Sequence, residues 1–270
     1  MSQCSGNCSS CSSSDCKDRD LTLKQNASSN IKKIYAVVSG KGGVGKSSVT
    51  CQLAAAMQKA GKQTAVLDAD ITGPSVPKMF GIKDRALAED NLLISAQSMN
   101  GTKLMSINLL LETDETPVVW RGPVISGVIG QFFTEVKWGD VDYMFVDMPP
   151  GTGDVALTVF QSLKVDGIIV VTTPQDLVSM IVAKAVNMAK IMNVPIVGIV
   201  ENMSYFTCDE CSKKHYIFGE SKLQQVAAAH GLEVLAELEI NPETPALADK
   251  GMIEKADLSA FDKVVSKLIG

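Results

Sequence analysis

The chain has 270 residues, 46% of them hydrophobic, which suffices for one α/β domain with a buried core. A net charge of −5 at pH 7 opposes a general binder of nucleic acid, which needs clustered Lys and Arg to neutralise phosphates. No stretch approaches ~20 uninterrupted apolar residues and no basic segment followed by an apolar one opens the chain, so the expectation is a cytoplasmic protein without a membrane span. Seven cysteines in such a chain point to metal or redox chemistry before disulfides.

Residues 1–30 are polar, rich in Ser and Cys near the start, and read as a tail unless a metal organises them. Cys4, Cys8, Cys11 and Cys16 are separated by three, two and four residues, the pattern of a self-contained cluster site. A zinc-bound or unstructured tail is the plain alternative. The first three also match a C-x3-C-x2-C spacing used by radical SAM enzymes, but that reading needs a barrel strand, which a Ser-rich tail does not offer.

From Ile31 to Gly270 apolar runs alternate with helical patterns. Strands are predicted at Ile34–Val38, Thr64–Leu67, Tyr143–Val146, Gly167–Thr172, Ile196–Val200 and Val234–Leu238, hydrophobic enough for a parallel sheet covered on both faces. Helices are predicted at Ser47–Ala60, Val124–Val136, Val155–Leu163, Leu177–Met192, Ser221–His230 and Leu258–Leu268. Leu92–Ser95 and Lys103–Ile107, joined through Asn100-Gly101, read as an antiparallel hairpin at one edge. The fold class expected is α/β, a doubly wound and mostly parallel sheet flanked by helices, with ligands at the carboxyl ends of the strands.

Residues Gly40, Lys41, Gly42, Gly43, Val44, Gly45, Lys46 and Ser47 spell the phosphate-binding loop G-x-x-x-x-G-K-[ST], between a strand and a helix, with Ser48 following. Its glycines let backbone N–H groups turn toward phosphate oxygens, Lys46 reaches the β- and γ-phosphates, and the Ser47 hydroxyl is placed for Mg²⁺. Lys41 is an extra charge that a standard loop does not require. It marks the deviant Walker A subclass, whose members pair two nucleotide sites face to face.

Asp68 and Asp70 leave the second strand with the same parity, where an acidic group can orient the attacking water or Mg²⁺-bound waters. A helix-capping or turn pair is the plainer reading. Tyr143–Asp147 is an apolar strand ending in Asp, the Walker B pattern, with Asp147 expected to hold the Mg²⁺ hydration shell. The Pro- and Gly-rich residues 148–154 after it suit a loop that senses a γ-phosphate. Asn202, after Val200-Glu201, carries an amide able to read an adenine edge, though such a residue more commonly serves a turn. Cys51 falls on the apolar pattern of the first helix and reads as core.

Cys208 and Cys211 form a CxxC after the fifth strand. Two thiolates are half of a structural zinc site. His215 can offer a third ligand, or a symmetric dimer can supply four thiolates on its two-fold axis. By count, Zn²⁺ and a [4Fe–4S] cluster are equally served.

Taken together, the chain resembles the Mrp/ApbC family of iron–sulfur cluster carrier ATPases, within the MinD/ParA-type deviant Walker A class. The matching segments are residues 40–48, DADITGPS at 68–75, VWRGP at 119–123, DMPPGTGD at 147–154, VENMS at 200–204, Cys208–Cys211, and Ile217-Phe218-Gly219. The resemblance spans residues 31–270. It implies a homodimer that binds ATP and Mg²⁺, holds a labile [4Fe–4S] cluster between Cys208 and Cys211 of both subunits, and works with cluster-assembly proteins and apo iron–sulfur proteins. By position, Lys41 reaches the partner's phosphates, Asp70 assists hydrolysis and Asn202 contacts adenine; Trp120 and Arg121 mark membership only. The tail is similar to the ferredoxin-like motif of the cytosolic scaffold branch, with a much shorter gap between its first two cysteines.

The rival reading is a MinD/ParA-like positioning ATPase with a structural zinc at the CxxC. Its membrane version would use the amphipathic Leu258–Ile269, whose Asp262, Lys263 and Lys267 are too few and too mixed for anionic lipid. An electron-donating ATPase like the nitrogenase iron protein would use single, well-separated ligand cysteines instead of a CxxC.

Overall fold

The computed structural model describes residues 22–71, 73–111, 122–151, 153–174 and 178–270. Cys4, Cys8, Cys11, Cys16, Thr72, Trp120, Arg121, Thr152 and Leu177 lie outside the described residues. In chain order the elements are β1 (Ser29–Ser39), α1 (Lys46–Lys59), β2 (Thr64–Asp68), α2 (Val76–Met79), β3 (Ala88–Glu89), β4 (Leu92–Ile94), β5 (Ala96–Gln97), β6 (Lys103–Met105), α3 (Gly122–Thr134) and β7 (Val136–Lys137). They continue with β8 (Gly139–Asp147), α4 (Asp154–Ser162), β9 (Gly167–Thr172), α5 (Val178–Met192), β10 (Ile196–Thr207), β11 (Lys214–His215), α6 (Leu223–Ala229), β12 (Val234–Glu239), α7 (Glu243–Asp249) and α8 (Asp262–Ile269).

The large sheet runs β12-β10-β9-β1-β8-β2-β6-β5, with β11 paired to the far end of β10. All of its pairings are parallel except β5 on β6 and β11 on β10. This is the doubly wound class. β2 and β9 bury every residue, and β8 buries its run from Met144 to Asp147, because helices cover both faces there. α1 packs with α2 and α8, while α3, α4, α5 and α6 pack in series as a second group. β1 sits mid-sheet between β8 and β9, so the chain reverses its direction of travel across the sheet at β1, where ligands bind in such folds.

Two expectations are corrected. Leu92–Ile94 does not pair with Lys103–Met105; it forms a separate small sheet with β3 and β7. The hairpin that closes through Asn100-Gly101 is β5–β6, with Gly101 at φ +97°, a conformation glycine adopts without strain. The fifth predicted strand does not stop at Val200. It continues through Tyr205-Phe206-Thr207, good strand formers, so Cys208 follows the strand directly.

The body also reaches back beyond Ile31. Leu23 N–H donates to the Ser162 carbonyl at 2.8 Å, and Asn26 Nδ2 donates to the carbonyls of Thr134 and Val136. The apolar face of α8 is used internally: Val264 and Leu268 are buried, and Lys263 Nζ donates to the Val234 carbonyl at 2.7 Å. Among the described residues no helix is long and apolar enough to cross a membrane.

Candidate functional site

β1 delivers the chain into the loop of residues 40–45, and α1 begins at Lys46. Each glycine in this turn has its own reason. Gly43 and Gly45 adopt φ of +80° and +78°. A Cβ on Gly40 would lie 2.6 Å from the Ile181 side chain of α5, so a side chain there would push the helix away. The first N–H groups of α1, which lack intrahelical partners, open onto this turn beside the positive end of the helix dipole. The loop is therefore built to receive an anion.

The charged groups converge at the carboxyl ends of β1, β2 and β8. Asp147 is fully buried and accepts three hydrogen bonds, from Lys46 Nζ at 2.7 Å, Ser47 Oγ at 2.5 Å and Thr50 Oγ1 at 2.9 Å. Asp70 Oδ2 lies 3.9 Å from Lys46 Nζ, and its side chain is 15% exposed. Asp68, in direct register with Asp147, is buried and accepts from Ser106 Oγ at 3.0 Å. Burial pushes its carboxyl up to about 7, aided by the Asp147 charge and opposed by Ser106 and Lys46. The two carboxylates of the DAD segment thus occupy different environments: Asp68 is fully buried, and Asp70 is partly exposed. Lys41 is half-buried in the loop, and its carbonyl accepts from Ser39 Oγ at 3.0 Å.

The loop after β8 is tied to β1, since Met148 N–H donates to the Val37 carbonyl and Gly151 N–H to the Ser39 carbonyl at 2.9 Å. Phosphate loop and candidate sensing loop therefore share an anchor. The oxygen set formed by Ser47 and Asp147 suits a hard cation that completes its octahedron with phosphates and waters.

Asn202 stands over the phosphate loop. Its Nδ2 donates to the Val44 carbonyl at 2.9 Å, and its Oδ1 accepts from the Met203 N–H at 3.0 Å. One amide hydrogen and one lone pair are left for a base edge. The neighbouring Glu201 is buried, taking Ser221 Oγ and Ser204 Oγ as donors, and burial raises its pKa in spite of them.

Cys208 and Cys211 sit at the tip of the ribbon formed by β10 and β11, with Cys208 half-buried and Cys211 exposed. Cys208 N–H donates to the Lys213 carbonyl at 3.0 Å and Ser212 N–H to the Cys208 carbonyl at 2.8 Å, closing a tight turn. The backbone N–H groups of Cys211 and Glu210, with the Cys211 thiol, donate toward the Cys208 sulfur and lower its pKa, favouring the thiolate. His215 pairs with Phe206 in the ribbon and does not complete a metal site. Among the described residues no group of three or more His, Cys, Asp or Glu is placed to hold a metal ion. Cys51 is a buried core thiol whose pKa burial drives well up.

Three residues escaped the sequence reading: Thr50 on Asp147, Ser106 on Asp68, and the buried Glu201 that Ser204 and Ser221 hold beside Asn202 in the chain. Thr50 lies one turn into α1, on the face that meets β8, and that position was its only signal. Ser106 offered none.

A glycine loop opening a helix at the centre of a doubly wound sheet, with a lysine and a hydroxyl on a strand-end aspartate, defines a P-loop nucleoside triphosphatase. Residues 30–269 match the ParA family, described as the NUBPL iron-transfer P-loop NTPase, and the chain belongs to that family. A relative from Methanocaldococcus jannaschii, named iron-sulfur cluster carrier protein, is 41% identical over all of this chain and 97% of its own length. Another of that name, from Clostridium perfringens, is 42% identical over 93% of this chain and 94% of its own. A solved nucleotide-binding protein from Archaeoglobus fulgidus, in complex with ADP and with Co found, superposes with a TM-score of 0.77 at 41% identity, covering 86% of this chain and 92% of that one. MinD from Pyrococcus horikoshii, solved with Mg-ADP, shares the fold at a TM-score of 0.60 and 19% identity, covering 88% of this chain and 94% of its own.

Proposed function

We propose that this protein is an ATP-dependent carrier that holds a labile [4Fe–4S] cluster between two copies of the chain and passes it to apo-proteins. The observation that carries the reading is the Cys208–Cys211 tip. It presents two thiols at the end of a hydrogen-bonded ribbon, and no third ligand stands beside them among the described residues. In this reading a second copy, related by a two-fold axis, supplies the other two thiolates. The names of the 41–42% identical relatives agree with cluster carriage.

In this reading ATP enters with its phosphates on residues 40–47. Lys46 exchanges Asp147 for the β- and γ-phosphates, and Ser47 with Asp147 holds Mg²⁺, which neutralises developing charge on the phosphoryl oxygens. Asp70, the partly exposed carboxylate near Lys46, orients the attacking water. Lys41 reaches the facing site of the partner copy, and Asn202 reads adenine with its remaining hydrogen and lone pair. Hydrolysis is slow and serves as a switch, and the cluster is cargo. Cys4, Cys8, Cys11 and Cys16 supply a second cluster site.

The test is anaerobic reconstitution followed by iron, sulfide and zinc analysis. Wild type is compared with Cys208→Ala/Cys211→Ala and with a form in which Cys4, Cys8, Cys11 and Cys16 are all Ser. The carrier reading expects about four iron atoms per dimer at the bridging site, lost with Cys208 and Cys211. Zinc at about one per dimer without iron uptake would instead favour the zinc-stapled positioning ATPase.

A further inference from the structure

One side chain joins the phosphate loop to the strand that carries the cysteines. Asn202 Nδ2 holds the Val44 carbonyl at 2.9 Å, 158 residues away in sequence. The fit leaves no slack: a Cβ on Gly45 would lie 2.3 Å from that same nitrogen. The other end of the amide accepts from Met203 N–H, and Met203 itself adopts φ +58°, a left-handed conformation that is strained for a non-glycine residue. The register of β10 against β12 shifts between Glu201 and Tyr205.

Both sides of this irregular step are fixed. Before it, Glu201 is pinned by Ser204 and Ser221. After it, the Tyr205 carbonyl accepts from Ile240 N–H at 2.7 Å, Phe206 and Thr207 pair with His215 and Lys214, and the Cys208 turn closes on Lys213. Cys208 lies six residues beyond Asn202, with the irregular step at Met203 between them. From Tyr205 onward the ribbon is one bonded unit hung on β12, and residues 202–204 are its covalent link to the phosphate-loop side.

We propose that Asn202 is the positioning residue that reports occupancy of the phosphate loop to Cys208 and Cys211. An anion drawing the loop N–H groups inward shifts the Val44 carbonyl. Asn202 follows it, and the left-handed step at Met203 turns that shift into a change of tip geometry. The proposal deepens the carrier reading, on which it rests for the joint use of the two sites.

The test uses the full chain, freed of metal by a chelator. The alkylation rates of Cys208 and Cys211 are read peptide by peptide by mass spectrometry, without nucleotide and with saturating Mg²⁺ and a non-hydrolysable ATP analogue. In wild type the analogue is expected to change these rates about fivefold or more, the lower end of ordinary intersite couplings. In Asn202→Ala the change falls below about twofold, although occupancy, checked with a fluorescent nucleotide, is complete. A full response in Asn202→Ala overturns the proposal, as does no response in wild type. If Asn202→Ala cannot be saturated, Met203→Gly decides: it keeps the amide but frees the left-handed step, so a reduced response supports the link and an unchanged one refutes it. Because no cluster is present, failure of cluster carriage and failure of this link give different results.

Discussion

Lys46 Nζ lies 2.7 Å from Asp147 Oδ1, and both side chains are buried, at 6% and 1% exposure. The phosphate-loop lysine thus already has an anionic partner, and a bound phosphate must offer it a better one. The pair is also a structural element: removing one member leaves the other buried without compensation. Lys46→Met is expected to lower nucleotide-free stability by roughly 3 kcal/mol, and Lys46→Met/Asp147→Asn to recover most of that loss. Urea denaturation of the three proteins checks this. Equal stability of wild type and Lys46→Met would show that the buried pair is energetically neutral.

Asp68 makes a second prediction, about pH. Its carboxyl holds a proton in the folded protein up to about 7, whereas the unfolded chain releases it near 3.8. Between those values the native state binds the extra proton, so its stabilising effect is complete below about pH 4 and is lost as pH rises toward 7. Nucleotide-free wild type should therefore lose stability relative to Asp68→Asn across that window, by an amount on the order of a few kcal/mol. Melting curves of both proteins at pH 4.5 and 7.5, two points about the edges of the window, carry the comparison. Parallel pH profiles would rule out titration of Asp68.

The centre of the sheet was legible in the sequence because its signals are local. Apolar runs without alternation mark strands covered on both faces, and Gly40 to Ser47 is fixed by the phosphate chemistry of its own backbone. What escaped were contacts that chain order hides. Asn202 reads as a turn or an adenine contact until Val44 is seen against it. The polar Asn202-Met203-Ser204 hides the continuation of β10, because the pairing that sustains it comes from Glu239, Lys214 and His215. Leu92–Ile94 pairs with Val136 and Lys137, some forty residues on, in preference to the nearer Lys103–Met105. Glu201 was passed over because its serine partners, Ser204 and Ser221, are unremarkable on their own.

Gly45 and Asn202 should be energetically coupled. Gly45→Ala places a Cβ 2.3 Å from Asn202 Nδ2 and also forces alanine to φ +78°. The backbone part alone costs of order 1–3 kcal/mol. Asn202→Ala removes the obstruction but not the left-handed requirement. Gly45→Ala is therefore expected to cost at least about 0.5 kcal/mol less in the Asn202→Ala background, a coupling size usual for touching residues. A double-mutant cycle on urea midpoints measures it, and strict additivity would mean that the two residues do not meet in solution.

Lys41 separates nucleotide binding from its use. It lies in the loop beside Gly40 and Gly42, and its proposed target is the phosphate of the facing copy, not its own. Lys41→Ala is then expected to keep nucleotide affinity within about threefold while lowering ATP-stimulated cluster transfer about tenfold or more, as loss of a charge that acts mainly on the closed state would. Lys46→Ala, by contrast, should lose affinity itself. Titration with a fluorescent nucleotide and transfer from reconstituted carrier to an apo-ferredoxin give the two readouts. If transfer from both variants matches wild type, ATP does not govern cargo release, although the Cys208–Cys211 pair can still carry it.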